Sequence, residues 1–67
     1  MEKFTRKDLY SAFDALYDNL RFIKTYLQEA EKDARENSFN LQAESIKTDL
    51  ETLEEIDDAI VTLENNY

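Results

Sequence analysis

The chain has 67 residues with 16 acidic and 8 basic side chains, a formal net charge of −8, and no Gly, Pro, Cys, His or Trp. This composition excludes disulfides, thiolate zinc sites, Gly-rich phosphate loops and catalysis through Ser–His or Cys–His pairs. Without Gly or Pro, long helices are favoured over sheets with tight turns. We therefore expect one small, all-α, non-enzymatic domain spanning residues 1–67, with no cofactor.

The amino-terminal residues are charged, and no apolar run approaches the roughly 20 residues needed to cross a bilayer. With no apolar signal core and no cysteine, we expect a cytoplasmic protein that does not bind membranes. The excess of acids disfavours direct binding to nucleic acid, because phosphates would repel the chain, and favours a basic partner or simple solubility.

A first helix is predicted over residues 6–36. Thr5 can cap it and Asp8 can return the hydrogen bond, while Phe4 and Leu9 can form a hydrophobic staple. Apolar residues then recur at steps of four and three, which keeps them on one side of a helix. This stripe consists of Leu9, Phe13, Leu16, Leu20, Ile23, Leu27, Ala30 and Ala34.

The first helix is also apolar outside this stripe. Ala12, Ala15, Phe22 and Tyr26 follow a second line, which Asn19 joins, and a helix that is apolar on several sides is normally buried on several sides. These residues either pack within the bundle or against a second copy, or they dock a target, since Tyr and Phe are common interface anchors. The candidate aromatic interface comprises Phe22, Tyr26, Tyr10 and Tyr17.

The only cluster of turn-forming residues runs from Asn37 to Asn40 and is expected to end the first helix. Asn37 is the residue expected to adopt the left-handed conformation, because glycine is absent. Ser38 or Asn40 is expected to cap the next helix. A further break at Asp18–Asn19 would instead give three helices.

A second helix is predicted over residues 39–65. Two long helices joined by a short turn form an antiparallel hairpin. Because an isolated hairpin covers each stripe on one side only, we expect two copies to dimerise into a four-helix bundle. The second stripe consists of Phe39, Ala43, Ile46, Leu50, Leu53, Ile56, Ile60, Leu63 and Tyr67.

Negative charge is unbalanced in the second half of the chain, whereas residues 1–36 hold seven bases and eight acids. Residues 37–67 hold a single base, Lys47, against eight acids. Like charges at i, i+4 cost a few tenths of a kcal/mol per pair, so this asymmetry asks for an explanation. The candidate partner-binding acidic face comprises Glu51, Glu54, Glu55, Asp57 and Asp58.

Three interpretations of these acids compete. In the first, they form a solvated face that is partly neutralised by Arg21 and Lys24, because a short turn places these two bases opposite Glu51 or Glu55. In the second, they form a docking surface for a basic protein. A divalent metal site is the least favoured, because calcium needs six to eight oxygens from a wrapped loop. No metal ligands are therefore predicted.

The leading hypothesis is a small acidic protein that inhibits or regulates a basic, nucleic-acid-binding partner. Five carboxylates over about 12 Å of helix rise approach the charge density of duplex DNA, about one per 1.7 Å. Such a face resembles, in charge and size only, DNA-mimicking phage or mobile-element inhibitors of restriction or CRISPR enzymes. The alternative is a structural or assembly homo-oligomer that uses the aromatic face of the first helix.

The expected architecture resembles that of Rop-like proteins, which are dimeric helical hairpins of about this length. The resemblance implies RNA binding through a basic, polar face of the bundle. The chain departs from that pattern in its charge of −8. An RNA-binding dimer is therefore the third hypothesis.

Overall fold

The computed structural model describes residues 3–67; Met1 and Glu2, which begin the predicted domain, lie outside the described residues. The described chain folds into helices α1 (Arg6–Glu36) and α2 (Asn40–Glu64), which pack against each other, and contains no strand. The predicted all-α hairpin is confirmed, with α2 one residue shorter at each end than expected. The alternative break at Asp18–Asn19 does not occur, since α1 is continuous there.

The start of α1 is fixed by a capping box. The Thr5 amide donates to Asp8 Oδ2 at 2.9 Å, and the Asp8 amide donates to Thr5 Oγ1 at 3.2 Å. The backbone and hydroxyl hydrogen bonds from Thr5 lower the pKa of the Asp8 carboxyl. Phe4 remains 83% exposed, so the staple expected with Leu9 buries little of its ring.

The turn ends α1 with a Schellman motif, in which the residue after the cap adopts the left-handed conformation. That residue is Ser38, with φ of 62°, whereas Asn37 has φ of −97°. The Ser38 amide donates to the Arg35 carbonyl at 3.1 Å, and the Phe39 amide donates to the Ala34 carbonyl at 2.8 Å. The expectation that Asn37 takes the left-handed conformation is therefore wrong.

Asn37 instead closes the last turn of α1, with its side-chain amide donating to the Asp33 carbonyl at 2.8 Å. The start of α2 also differs from expectation. Its N-cap is Phe39, which makes no side-chain capping hydrogen bond, rather than Ser38 or Asn40. Because the Schellman motif requires Ser38 at the left-handed position, its hydroxyl is not used to cap α2.

The core is a narrow line along the contact of α1 with α2. The residues that are buried in the described chain are Phe13, Ala34, Ala43 and Leu53. Three large members of the predicted stripes, Ile23, Ile56 and Leu63, each remain 45% exposed. Two helices can cover only the residues that point at each other, so side chains at the edges of each stripe stay in contact with solvent.

The hairpin is long and thin. Its extents are 54 × 17 × 17 Å and its radius of gyration is 16.1 Å, against about 11 Å for a compact domain of this length. Neither α1 nor α2 combines the length and the apolar character that a membrane crossing requires.

Candidate functional site

The acidic face, Glu51, Glu54, Glu55, Asp57 and Asp58, lies on the second half of α2. All five side chains are exposed. Glu51, Glu55 and Asp58 follow steps of four and three and share one line on the helix surface, with Glu54 beside them. Asp57 lies further round, towards α1, where it lines a groove with Glu54.

The acidic face forms no ion pair with the rest of the described hairpin. Ion pairs within residues 3–67 join Arg21 to Asp18 at 3.9 Å, and Arg35 to Glu31 and Glu44 at 3.7 and 3.5 Å. None of them involves the acidic face. The pairing of Arg21 or Lys24 with Glu51 or Glu55, expected if the face were merely solvated, is absent.

The reason lies in the pairing of the two helices. The Tyr17 hydroxyl donates to Glu64 Oε1 at 2.9 Å, and Arg35 pairs with Glu44, so α1 and α2 run antiparallel. With these partners, Arg21 and Lys24 lie beside Glu54 and Asp57, a few residues further along α2 than the sequence suggested. Arg21 instead contacts Asp18, one turn away on its own helix.

Arg21 and Lys24 line a shallow groove of about 470 Å³ between the helices. Its walls also carry Asp14 and Asp18, two acids that were not singled out from the sequence. The sequence does show that Asp14 and Asp18 are four residues apart, on one side of a helix and close to Tyr17. It does not show that they face α2, because that depends on how α1 and α2 are paired. They extend the acidic region of α2 onto one side of α1.

The threonine hydroxyls of α2 are used within the helix. Thr48, Thr52 and Thr62 each donate to the carbonyl four residues earlier, at 3.2, 3.2 and 3.0 Å. Such back-bonding satisfies a hydroxyl locally and leaves it less able to bind a carboxylate. The acidic face therefore consists of carboxylates in contact with solvent.

The four candidate aromatic residues divide into two pairs. Phe22 and Tyr26 are 73% and 67% exposed. Tyr10 and Tyr17 lie on the other side of α1, where the Tyr10 hydroxyl donates to the Tyr67 carbonyl at 3.2 Å and Tyr17 donates to Glu64. The structure thus places Phe22 and Tyr26 on an exposed surface, whereas Tyr17 connects α1 to α2 and Tyr10 connects α1 to the residue Tyr67 that follows α2.

The packing of the two helices changes the pKa of Tyr17. Desolvation raises the pKa of the phenol, and its hydrogen bond to Glu64 and the nearby negative charges raise it further. A neutral phenol is therefore favoured in the folded hairpin. The hydrogen bond attaches α1 to the last turn of α2.

Nothing in the described part of the chain assembles a metal centre: residues 3–67 contain no group of three or more Asp, Glu, His or Cys side chains placed to hold an ion. A scan against protein-family models and searches of curated proteins and of solved structures returned no match. Function must therefore be inferred from this chain's own surfaces.

Proposed function

We propose that this chain is a small, cytoplasmic, non-enzymatic binding protein whose acidic face docks on a basic surface of a partner protein. The partner is a nucleic-acid-binding protein, which the chain inhibits or regulates by occupying the surface that binds phosphates. The observation that supports this proposal is the exposure of five clustered carboxylates with no ion pair to the rest of the described hairpin.

Clustered like charges oppose folding. Glu51 with Glu55, and Glu54 with Asp58, are like-charge pairs at i, i+4, and each costs a few tenths of a kcal/mol. A basic partner relieves this repulsion on binding and is also attracted over a distance, which raises the rate of association. Exposed acids thus disfavour the isolated hairpin slightly and favour its complex.

Duplex DNA is the natural competitor for such a site. The rise per residue of an α-helix places the five carboxylates at a linear density close to that of DNA phosphates. Asp14 and Asp18 lie on the adjoining side of α1, where the groove holds four acids against the two bases Arg21 and Lys24, so the acidic surface continues beyond α2. Such a surface suits a cleft that is built to accept a charged duplex.

The test compares two double variants with the same change in net charge. Glu51→Lys with Glu55→Lys reverses two charges of the acidic face, while Glu29→Lys with Glu36→Lys reverses two exposed charges on α1. Partners retained by the wild-type chain from source-cell extract are identified by mass spectrometry, purified, and titrated with each variant in the presence and absence of duplex DNA.

We expect the variant of the acidic face to bind at least tenfold more weakly, the α1 variant to bind nearly as well as wild type, and DNA to compete with the wild-type chain. Equal affinity of the two variants, or simultaneous binding of the chain and DNA, would exclude the proposed site.

We further propose that two hairpins dimerise into a four-helix bundle. This proposal is supported by the thin core and by the exposure of Ile23, Ile56 and Leu63, which belong to the apolar stripes of the two helices. A homo-oligomer with an assembly role, formed through Phe22 and Tyr26, is the second candidate function, because both rings are largely exposed.

A further inference from the structure

We propose that one side of the hairpin, the uncharged flank, is covered by a second copy of this chain. This inference rests on the dimer proposed above and names its surface; it does not depend on the acidic partner. The uncharged flank is defined by six exposed residues. They are Ala12, Ile23 and Tyr26 of α1 and Ile56, Ala59 and Leu63 of α2.

Helix geometry places these residues on the same side of the hairpin. At 100° per residue, Ile23 and Tyr26 turn away from the buried Phe13 in one direction, whereas Tyr17 and Arg21 turn away in the other. The groove that contains Tyr17 and Arg21 also contains Glu54 and Asp57 of α2, so it occupies one side of the helix pair.

On α2 the same division holds. Relative to the buried Leu53, Ile56 and Leu63 lie about 60–80° to one side, and Glu54 lies about 100° to the other. Because Glu54 belongs to the groove, Ile56 and Leu63 belong to the opposite side of the hairpin. They therefore lie on the side of the hairpin that carries Ile23 and Tyr26, with Ile56 at the level of Ile23.

This surface has no charged residue over most of its length. Between Leu9 and Ala30, the side of α1 that belongs to the flank carries only apolar side chains and Asn19. From Thr52 to Leu63, the side of α2 that belongs to the flank carries Thr52, Ile56, Ala59 and Leu63. Interface cores are depleted of charge in this way.

The area that the hairpin leaves exposed matches what a dimer requires. A folded monomer of 7.9 kDa exposes about 4,400 Å², whereas the hairpin exposes 5725 Å². The excess, about 1,300 Å², is more than the roughly 800 Å² that each partner contributes to a standard interface. One side of the hairpin, 54 by 17 Å, is large enough for the area that one partner contributes to such an interface.

A second copy fits this surface better than a charged partner does. The flank offers no ionic group for recognition, and a two-fold axis would place the same apolar patch on both sides of the contact. The acidic face lies away from the flank, on the back of α2 and beside the groove, so pairing would keep the two sets of acids apart despite a charge of −8 per chain.

The chain offers a closely matched pair of variants on α2. Ile56 is 45% exposed on the uncharged flank and Val61 is 42% exposed on the opposite side, on the same line of α2 as Glu54 and two turns from it. Ile56→Glu and Val61→Glu therefore add the same charge to the same helix at equal exposure. Tyr26→Lys, at a residue 67% exposed on α1, adds a charge to the flank with little effect on the hairpin itself.

The mass of each variant is measured by analytical ultracentrifugation across a range of concentrations, with helicity followed by circular dichroism. We expect the wild-type chain and Val61→Glu to sediment at about twice 7.9 kDa. Ile56→Glu and Tyr26→Lys should raise the dissociation constant on the order of 100-fold, because each dimer then buries two unpaired charges.

A wild-type chain that stays monomeric at millimolar concentration would overturn the inference, as would a larger assembly. Dissociation of Val61→Glu to the same extent as Ile56→Glu would overturn the assignment to this flank. If Ile56→Glu loses helicity, Tyr26→Lys decides the question. Failure here is distinct from failure of the acidic site, because Glu51→Lys with Glu55→Lys leaves the residues of the uncharged flank unchanged.

Discussion

Replacing Ser38 with glycine should stabilise the protein. Ser38 has φ of 62°, a conformation that costs a residue with a Cβ atom about 1–2 kcal/mol and costs glycine almost nothing. Glycine also makes the unfolded chain more flexible, which lowers the free energy of unfolding by about 0.4–1 kcal/mol. The expected net gain is about 0.5–1 kcal/mol for each chain.

Thermal unfolding followed by circular dichroism measures this gain. For a chain of 67 residues the unfolding entropy is about 140 cal/mol/K, so the midpoint should rise by about 4–7 °C. Wild type and variant must be compared at the same protein concentration, because association shifts the midpoint.

Asn37→Gly is the matched control. Asn37 has φ of −97° and its side-chain amide donates to the Asp33 carbonyl at 2.8 Å, so glycine there loses a hydrogen bond and gains no relief of strain. We expect this variant to unfold at a lower temperature than wild type. Stabilisation by Asn37→Gly and not by Ser38→Gly would show that the Schellman motif is assigned to the wrong residue.

Three further predictions concern the ends of the helices and the response to salt. Thr5→Ala removes the N-cap of α1 and should lower the free energy of unfolding in urea by about 1 kcal/mol. Because the pKa of Asp8 is lowered in the folded chain, the stability that Asp8 contributes is present above its unfolded pKa and is lost as the pH falls through its folded pKa. Tyr17→Phe removes the hydrogen bond to Glu64 and should destabilise the hairpin at neutral pH. Because the pKa of Tyr17 is raised in the folded chain, the wild-type chain should lose its greater stability over this variant as the pH rises above 10. Urea titrations at several pH values would detect this loss. Added salt should strengthen the proposed dimer, because it screens the repulsion between two acidic chains, and should weaken binding to the proposed basic partner, because it screens their attraction. Sedimentation and affinity titrations at 50 and 500 mM salt measure the two dissociation constants. A change of both constants in the same direction would contradict this prediction.

Local signals in the sequence predicted the helices well. The pair Thr5 and Asp8 fixes the start of α1 through contacts three residues apart, which a sequence shows directly. The turn was located correctly for the same reason. Its details were not, because Asn37 and Ser38 both tolerate the left-handed conformation, and the choice depends on which carbonyls of α1 the following amides reach.

Contacts between the helices were predicted less well. The pairing of Arg21 or Lys24 with Glu51 or Glu55 required the relative position of α1 and α2, and an error of a few residues moves long side chains past their partners. Burial failed in a related way. Periodicity shows that Ile23 and Ile56 belong to apolar stripes, but a single hairpin buries only the middle of each stripe, so both remain 45% exposed.

The uncharged flank and the acidic face explain together why apolar residues surround so much of α1 while α2 carries most of the net negative charge. A proposed dimer that buries the flank leaves both acidic faces exposed, one on each copy. Two such faces in a rigid assembly would bind a dimeric or extended basic partner with higher effective concentration than one face alone. Dissociating the dimer with Tyr26→Lys should then weaken the proposed partner binding without changing any carboxylate of the acidic face. An affinity unaffected by this substitution would show that each hairpin binds independently.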